Sequence, residues 1–118
     1  MRMALLAGAA LAATSFLAAC GGDDGADRRV IQIVQTDDSC TPQSIDLAAG
    51  EKVKFEVTNE GNKDKEVEGI DGTKLEEVLV PKGKTRNLNY TAPKDAGEAK
   101  VKCYVPGGSS TIITLNVK

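Results

Sequence analysis

Hydrophobic and polar residues alternate along most of this chain from about residue 29 onward. In the segment KVKFEVTN, Val53, Phe55 and Val57 share one face, and TIITLNV near the C-terminus repeats the pattern. A period of two residues is typical of strands with one buried face. The same pattern predicts strands at 29–35, 43–48, 66–71, 75–80, 84–91 and 98–105. About seven to eight short strands separated by Gly, Pro, Asn and Asp turns predict an all-β fold, a β-sandwich.

Strands that alternate in direction bring every second loop to the same end of such a sandwich. These loops are 36–42, 59–65, 81–83 and 104–110, and we call this end the loop pole. Cys40, Cys103 and Glu66 all fall at the loop pole, so their side chains are candidates for a common site.

The N-terminus has the organisation of an export signal. Residues 2–20 read RMALLAGAALAATSFLAAC, with one Arg, an apolar stretch and small residues before Cys20. This order is that of a secretory signal, and the last four residues resemble the lipobox of bacterial lipoproteins, whose cysteine is acylated. We therefore expect a signal peptide at 1–19, a lipidated Cys20 with a flexible tether at 20–29, and a folded domain at 30–118. The acyl anchor would hold the protein outside the cytoplasm, on the periplasmic side or outer face of the cell membrane.

The composition excludes several classes of function. The chain has 15 Lys and Arg against 17 Asp and Glu, a net charge of −2 and no histidine. Without a basic run, nucleic acid is not an expected partner. Without histidine, no Ser-His-Asp triad, His-ligated zinc or type-1 copper site can be assembled. No nucleophile with an adjacent base is recognisable either, so we do not expect an enzyme.

The two cysteines that remain after lipidation allow two interpretations. Cys103 lies in KCYVPGG, at the end of a predicted strand, where small copper proteins place their thiolate ligand. Outside the cytoplasm, Cys40 and Cys103 are most simply a disulfide. If they stay reduced, they are soft ligands for Cu(I) or Zn.

Acidic residues near the loop pole suggest a second kind of site. Glu66 and Glu68 are two apart on a predicted strand and share a face, and Glu77 follows on the next strand. Converging carboxylates suit a hard cation such as Fe(III), Mn or Ca. The alternative is an ordinary solvated strand face.

Several of these motifs, taken in order, resemble the cupredoxin-like domain of EfeO-type periplasmic iron-uptake proteins and related lipoproteins. Cys40-Thr41-Pro42 matches the family's Cys-x-Pro, Ala49-Gly50 its turn, Glu66 and Glu68 its Glu-x-Glu, and the segment from Gly97 to Cys103 its final Gly-to-Cys strand. The resemblance implies a Greek-key cupredoxin sandwich without the blue-copper ligands and with a metal site near the cysteines and the Glu-x-Glu. The segment LEEVLVPKG is shorter than in the family, and the helical metal-binding domain with its His-x-x-Glu motif has no counterpart in this sequence.

Two hypotheses follow. The first is a lipid-anchored cupredoxin-like protein that binds or hands over iron or copper as an accessory of uptake, in contact with a metal-uptake permease. Its ligands would be Glu66, Glu68 and Glu77, with Cys40 and Cys103 bracing the site or, if reduced, joining it. The second is a non-catalytic, disulfide-braced interaction module of the cell envelope, which binds no metal and presents loops or an edge strand to an envelope protein or polysaccharide.

Overall fold

The computed structural model describes residues 28–118, which form strands and no helix. The predicted signal at 1–19, the lipidated Cys20 and the tether up to residue 27 lie outside the described residues. None of the described residues belongs to a helix able to span a membrane. The nine strands are β1 (Arg29–Gln35), β2 (Cys40–Thr41), β3 (Ser44–Leu47), β4 (Lys52–Asn59), β5 (Lys65–Ile70), β6 (Val78–Val80), β7 (Thr85–Thr91), β8 (Gly97–Tyr104) and β9 (Ser110–Val117).

The strands form two packed sheets, which confirms the predicted all-β sandwich. The first sheet has the order β2-β1-β4-β7, and the second has the order β3-β9-β8-β5-β6. β1 pairs with β4 and β3 with β9 in parallel, and all other pairs are antiparallel. This mixture is what alternating directions of the predicted strands require.

The loop pole forms as predicted, and backbone hydrogen bonds connect its loops. The Glu60 N–H donates to the Gln35 carbonyl at 2.8 Å, and the Asn59 N–H donates to the Lys84 carbonyl at 2.9 Å. The ends of β1 and β4 and the start of β7 therefore lie together at this end of the sandwich.

Two elements differ from the predicted strands. Residues 36–42 were expected to be loop, but a turn closed by the Thr36 N–H on the Ser39 carbonyl folds the chain back, and β2 pairs with the end of β1. The strand predicted at 75–80 begins only at Val78. The backbone of residues 73–75 packs so closely on Gly69 that a Cβ there would collide with it. This segment bonds to β5 outside the regular ladder, through the Gly69 N–H, which donates to the Leu75 carbonyl at 2.9 Å.

The core consists of the inward-facing residues of both sheets. Because strand side chains alternate, β4 buries Val53, Phe55 and Val57 and directs charged or hydroxyl side chains outward. The ring of Phe55 stacks on that of Tyr90 with centroids 5.7 Å apart. Aliphatic residues fill the rest, including Ile113 and others from β1, β8 and β9.

Candidate functional site

A disulfide joins the two sheets at the loop pole. Cys40 at the start of β2 and Cys103 near the end of β8 are bonded through their sulfurs, with Cα atoms 6.5 Å apart. Their exposed fractions are 0% and 1%. Of the two interpretations of the sequence, a disulfide or a pair of reduced metal ligands, the structure has the disulfide, and in this state neither sulfur is a thiolate.

Polar side chains surround the disulfide on the inner side of the sandwich. Gln35, Cys40 and Asn59 lie directly opposite one another across β2, β1 and β4, so they share the inner face of the first sheet. All three are fully buried. We call this set, together with Cys103 and Lys65, the inner polar layer.

Asn59 connects three parts of the loop pole. Its Nδ2 donates to the Lys63 carbonyl at 2.8 Å and to the Val80 carbonyl at 2.9 Å, and its Oδ1 accepts from the Gly61 N–H at 2.9 Å. A buried amide with these three partners fixes the 60–64 loop against the end of β6.

Lys65 is a lysine whose side chain points into the protein. It is 2% exposed, and its ammonium donates to the Thr36 carbonyl. Burial lowers the pKa of Lys65, while the negative charges of Asp37 and Asp38 oppose that shift. The inner polar layer therefore contains a cationic group, held near the β1–β2 turn.

The carboxylates lie on the other side of the second sheet. Glu66 is opposite Tyr104 and Glu68 is opposite Lys102 in the β5–β8 ladder, and these residues face away from the core. The Tyr104 hydroxyl donates to Glu77 Oε2 at 2.5 Å. We call Glu66, Glu77 and Tyr104 the carboxylate–tyrosine cluster.

Negative charge from several glutamates surrounds the Tyr104 hydroxyl and opposes its ionisation. Hydrogen bonding of the hydroxyl with Glu66 and then with Glu77, together with the charges of Glu66 and Glu68, raises the pKa of Tyr104 far above its usual value of about 10. The Lys102 ammonium lies 4.4 Å from the centroid of the Tyr104 ring and is the nearby cation.

The structure thus separates residues that the sequence had grouped. Glu77 accepts from the Tyr104 hydroxyl, Glu66 lies opposite Tyr104, and Glu68 lies two residues further along β5. Cys103 is on the opposite face of the same sheet, pointing inward beside Val67, and Cys40 reaches it from the other sheet. Within residues 28–118, no group of three or more His, Cys, Asp or Glu residues is arranged to hold a metal ion.

Four residues of these sites were missed in the sequence. Tyr104 could have been found only from the strand register, which sets it opposite Glu66. Gln35, Asn59 and Lys65 occupy inward positions at strand ends, where a polar residue in a buried position of the alternating pattern is the available signal.

The inner polar layer does not fit a type-1 copper ion. Such a site needs a thiolate and two imidazoles, but Cys103 is in a disulfide and the sequence has no histidine. The buried ammonium of Lys65 would also repel a cation at this end.

Comparisons with known proteins agree with the fold. A family profile described as cupredoxin-like domain matches residues 4–114. No significant match was found among curated protein sequences.

Several solved structures of copper proteins share the architecture. Dithionite-reduced auracyanin from Roseiflexus castenholzii is 12% identical, with a TM-score of 0.60 over 80% of this chain and 99% of that chain. A purple cupredoxin from Nitrosopumilus maritimus is 16% identical, with a TM-score of 0.51 over 74% and 98%. A copper-containing nitrite reductase from Thermus scotoductus is 11% identical, with a TM-score of 0.61 over 76% of this chain but only 31% of its own length.

At these identities the structural neighbours establish the fold alone. The family profile spans most of the sequence, and the two-sheet architecture agrees with it. The chain belongs to the cupredoxin-like domain family.

Proposed function

We propose that this protein is a lipid-anchored, extracytoplasmic cupredoxin-like module of the EfeO-type group that acts by binding a partner, without catalysis and without an electron-transfer copper centre. One observation carries the proposal: Cys103, at the strand-end position of a copper thiolate, is buried in a disulfide with Cys40 in a chain without histidine. A covalent brace and a buried ammonium occupy the end where a metal centre would have to lie.

The brace supports a binding role because it fixes surfaces. A disulfide that closes a loop of about 64 residues constrains the unfolded chain strongly, and the Asn59 bonds hold the loops that surround it. Rigid loops and edge strands are the surfaces that sandwiches offer to proteins and polysaccharides. The proposed partner is accordingly an envelope protein or polysaccharide.

The redox and copper part of the proposal is tested on the full-length chain extracted from membranes. We expect no free thiol from Cys40 or Cys103 under denaturing, non-reducing conditions, and no intense thiolate-to-copper absorption after addition of Cu(II). Two free thiols per chain, together with tight binding of Cu(I), would contradict the proposal.

The anchor is tested separately with Cys20→Ser. The unaltered chain should incorporate labelled fatty acid and sediment with membranes, whereas Cys20→Ser should do neither. Membrane association that survives this substitution without fatty-acid labelling would rule out the acyl anchor and leave the binding role untouched.

A second candidate function is supported by the carboxylate–tyrosine cluster. Two carboxylates and a phenol oxygen are hard donors of the kind that Fe(III) takes. The Tyr104 hydroxyl donates to Glu77, and Glu66 lies opposite Tyr104 in the β5–β8 ladder. On this hypothesis the protein is an accessory of metal uptake that passes iron to a permease, with Glu68 as a further ligand.

Calorimetric titration distinguishes the two functions. If the second is correct, chelated Fe(III) binds the unaltered chain and binding is lost in Glu66→Gln/Glu77→Gln. The matched control is Glu60→Gln/Glu98→Gln, which removes the same charge from two exposed positions. Equal heats for all three proteins would remove the metal hypothesis and favour the interaction module.

A further inference from the structure

The two sheets end in four edge strands, and three of them are protected. β2 has two residues followed by Pro42, and β6 has three residues followed by Pro81. β3 has four residues, and the Arg29 guanidinium donates to the Asp46 carbonyl at 2.9 Å. β7 is different, because its seven residues contain no Pro or Gly and only one charge, Arg86. Short strands, prolines and charges are the usual means of keeping edges from pairing, and β7 has the fewest of them.

The direction of the free backbone groups of β7 follows from its pairing with β4. The Asn59 N–H bonds to the Lys84 carbonyl, and the Ala92 N–H bonds to the Glu51 carbonyl. In an antiparallel ladder such bonded pairs recur at every second residue, so the even-numbered residues of β7 face β4. The residues whose N–H and C=O groups point to the open edge are Thr85, Asn87, Asn89 and Thr91. β7 has no other strand partner in residues 28–118.

We infer that this edge pairs with β7 of a second copy of the chain, in an antiparallel register centred on Leu88. In that register Asn87 lies opposite Asn89 of the other copy, and Thr85 lies opposite Thr91. The Thr85 carbonyl already accepts from the Arg86 guanidinium at 3.0 Å, so the two Asn87–Asn89 pairs are the ones that exchange backbone bonds. The single cation, Arg86, lies opposite Tyr90 instead of a second Arg86. The arrangement is isologous, as a two-fold dimer requires.

The charges on the outer face of the first sheet agree with this register. Lys54 is opposite Asn89 and Glu56 is opposite Asn87 within one copy. Across the dimer each row would therefore read Lys54, Asn89, Asn87 and Glu56, the last two from the second copy. Both rows begin with a cation and end with an anion, and no like charges are directly opposite.

A groove beside β7 leaves room for the contact. It has a volume of about 300 Å³ and lies between β7 and residues 74–78, with Leu75 and Leu88 in its lining. In the dimer a groove would flank the paired strands in each copy, and the half-buried Leu75 is an apolar side chain there that is still partly open in the monomer.

This inference rests on the proposed function in one respect, since it names a partner for an edge strand of the interaction module. The two remain separable. A protein that stays monomeric but binds envelope material would overturn the inference and leave the function standing.

The test is sedimentation equilibrium of the full-length chain in density-matched detergent over a range of concentrations. In an antiparallel pair the N-terminal ends of the two domains, at Arg28, point in opposite directions. Detergent micelles can hold two acyl anchors that are arranged in this way. Asn87→Lys/Asn89→Lys sets lysines opposite each other and should raise the dimer dissociation constant about tenfold or more. Asn87→Lys/Asn89→Glu sets opposite charges together and should dimerise as well as the unaltered chain or better.

Two further measurements define the outcome. Asn87→Pro removes an N–H on the open edge without touching the ladder to β4 and should abolish dimers, while its melting curve reports whether the monomer folds. Gln32→Lys/Gln43→Lys adds the same charge at exposed positions away from β7 and should leave dimerisation unchanged. An unaltered chain that is monomeric at all concentrations overturns the inference. So do equal dissociation constants for the two charge variants, or a Gln32→Lys/Gln43→Lys variant that dissociates like the double-lysine one.

Discussion

The strands β5 and β8 contribute residues to both the inner polar layer and the carboxylate–tyrosine cluster, yet the physical settings of these residues are opposite. On the inner side, Cys103 and Lys65 are at most 2% exposed. On the outer side, Glu66 and Tyr104 are half-buried and in contact with water. Because successive side chains of a strand point to opposite faces, a step of one residue leads from the buried face of the sheet to the solvent-exposed face.

The difference indicates where each layer contributes. Loss of a buried hydrogen bond lowers the free energy of unfolding strongly, because the remaining donor or acceptor is left without a partner and without access to water. Exposed charged contacts add little to stability but remain available to a ligand. The inner layer should therefore determine stability, and the outer cluster should determine how the surface titrates and what it binds.

The largest expected effect is that of the disulfide. Cys40→Ala/Cys103→Ala should lower the free energy of unfolding by about 4 kcal/mol, because the bond closes a loop of about 64 residues in the unfolded chain. Denaturant unfolding of the oxidised chain and the variant measures it. The outer-face control, Glu66→Gln/Glu77→Gln, should change stability by less than about 1 kcal/mol. Equal losses in the two variants would contradict the comparison.

Asn59 should come next. Asn59→Ala removes three hydrogen bonds at a fully buried position, so we expect a loss of about 2–3 kcal/mol. The matched control is Asn62→Ala. Asn62 bonds Asp37 at an exposed position, and its substitution should cost less than about 1 kcal/mol. A smaller loss for Asn59→Ala than for Asn62→Ala would disprove the buried role.

Most of the fold could be predicted from the sequence because alternation is a local signal. The period of two residues around Phe55 locates β4 and its inward face before any neighbour is known. Strand directions placed Cys40 and Cys103 at the same end. The two misjudged elements depend on turn contacts that alternation does not report: β2 on its pairing with the end of β1, and the late start of β6 on the close packing of residues 73–75 against Gly69.

The sites were harder to predict because they depend on register. Glu66 and Glu68 were correctly read as sharing a face, but the sequence does not give the register that puts Tyr104 opposite Glu66 and turns Cys103 inward. A shift of one residue in that pairing would have put cysteine and carboxylate on one face. The common site expected from the sequence is therefore two layers separated by a sheet.

Lys65 should make the free energy of unfolding depend on pH. Its folded pKa is lowered by burial, so above that pKa the unfolded chain binds the proton more tightly and the contribution of Lys65 to stability rises as pH increases towards about 10.5. Lys65→Met lacks this dependence. We expect the free energy of unfolding of the variant to be within about 1 kcal/mol of that of the unaltered chain at pH 7. As pH rises, the variant should become less stable relative to the unaltered chain. Exposed Lys63→Met should run parallel to the unaltered chain, and a parallel Lys65→Met would refute the prediction.

The smallest effect on stability, but a distinct one in titration, is expected for Tyr104. The chain has two tyrosines, and both have raised pKa values, Tyr104 through Glu66 and Glu77 and Tyr90 through burial. Absorbance of the phenolate should therefore stay absent until well above pH 10. In Glu66→Gln/Glu77→Gln one tyrosine should ionise near pH 10, whereas Glu60→Gln/Glu98→Gln should titrate like the unaltered chain.

Since the folded phenol keeps its proton to a higher pH than the unfolded one, the contribution of Tyr104 to stability falls as pH rises above about 10. Tyr104→Phe should remove that part of the fall while changing stability at pH 7 by less than about 1 kcal/mol. A Tyr104 that ionises near pH 10 with both carboxylates in place would mean that the cluster does not hold its hydroxyl, and the outer face would then be an ordinary solvated strand face.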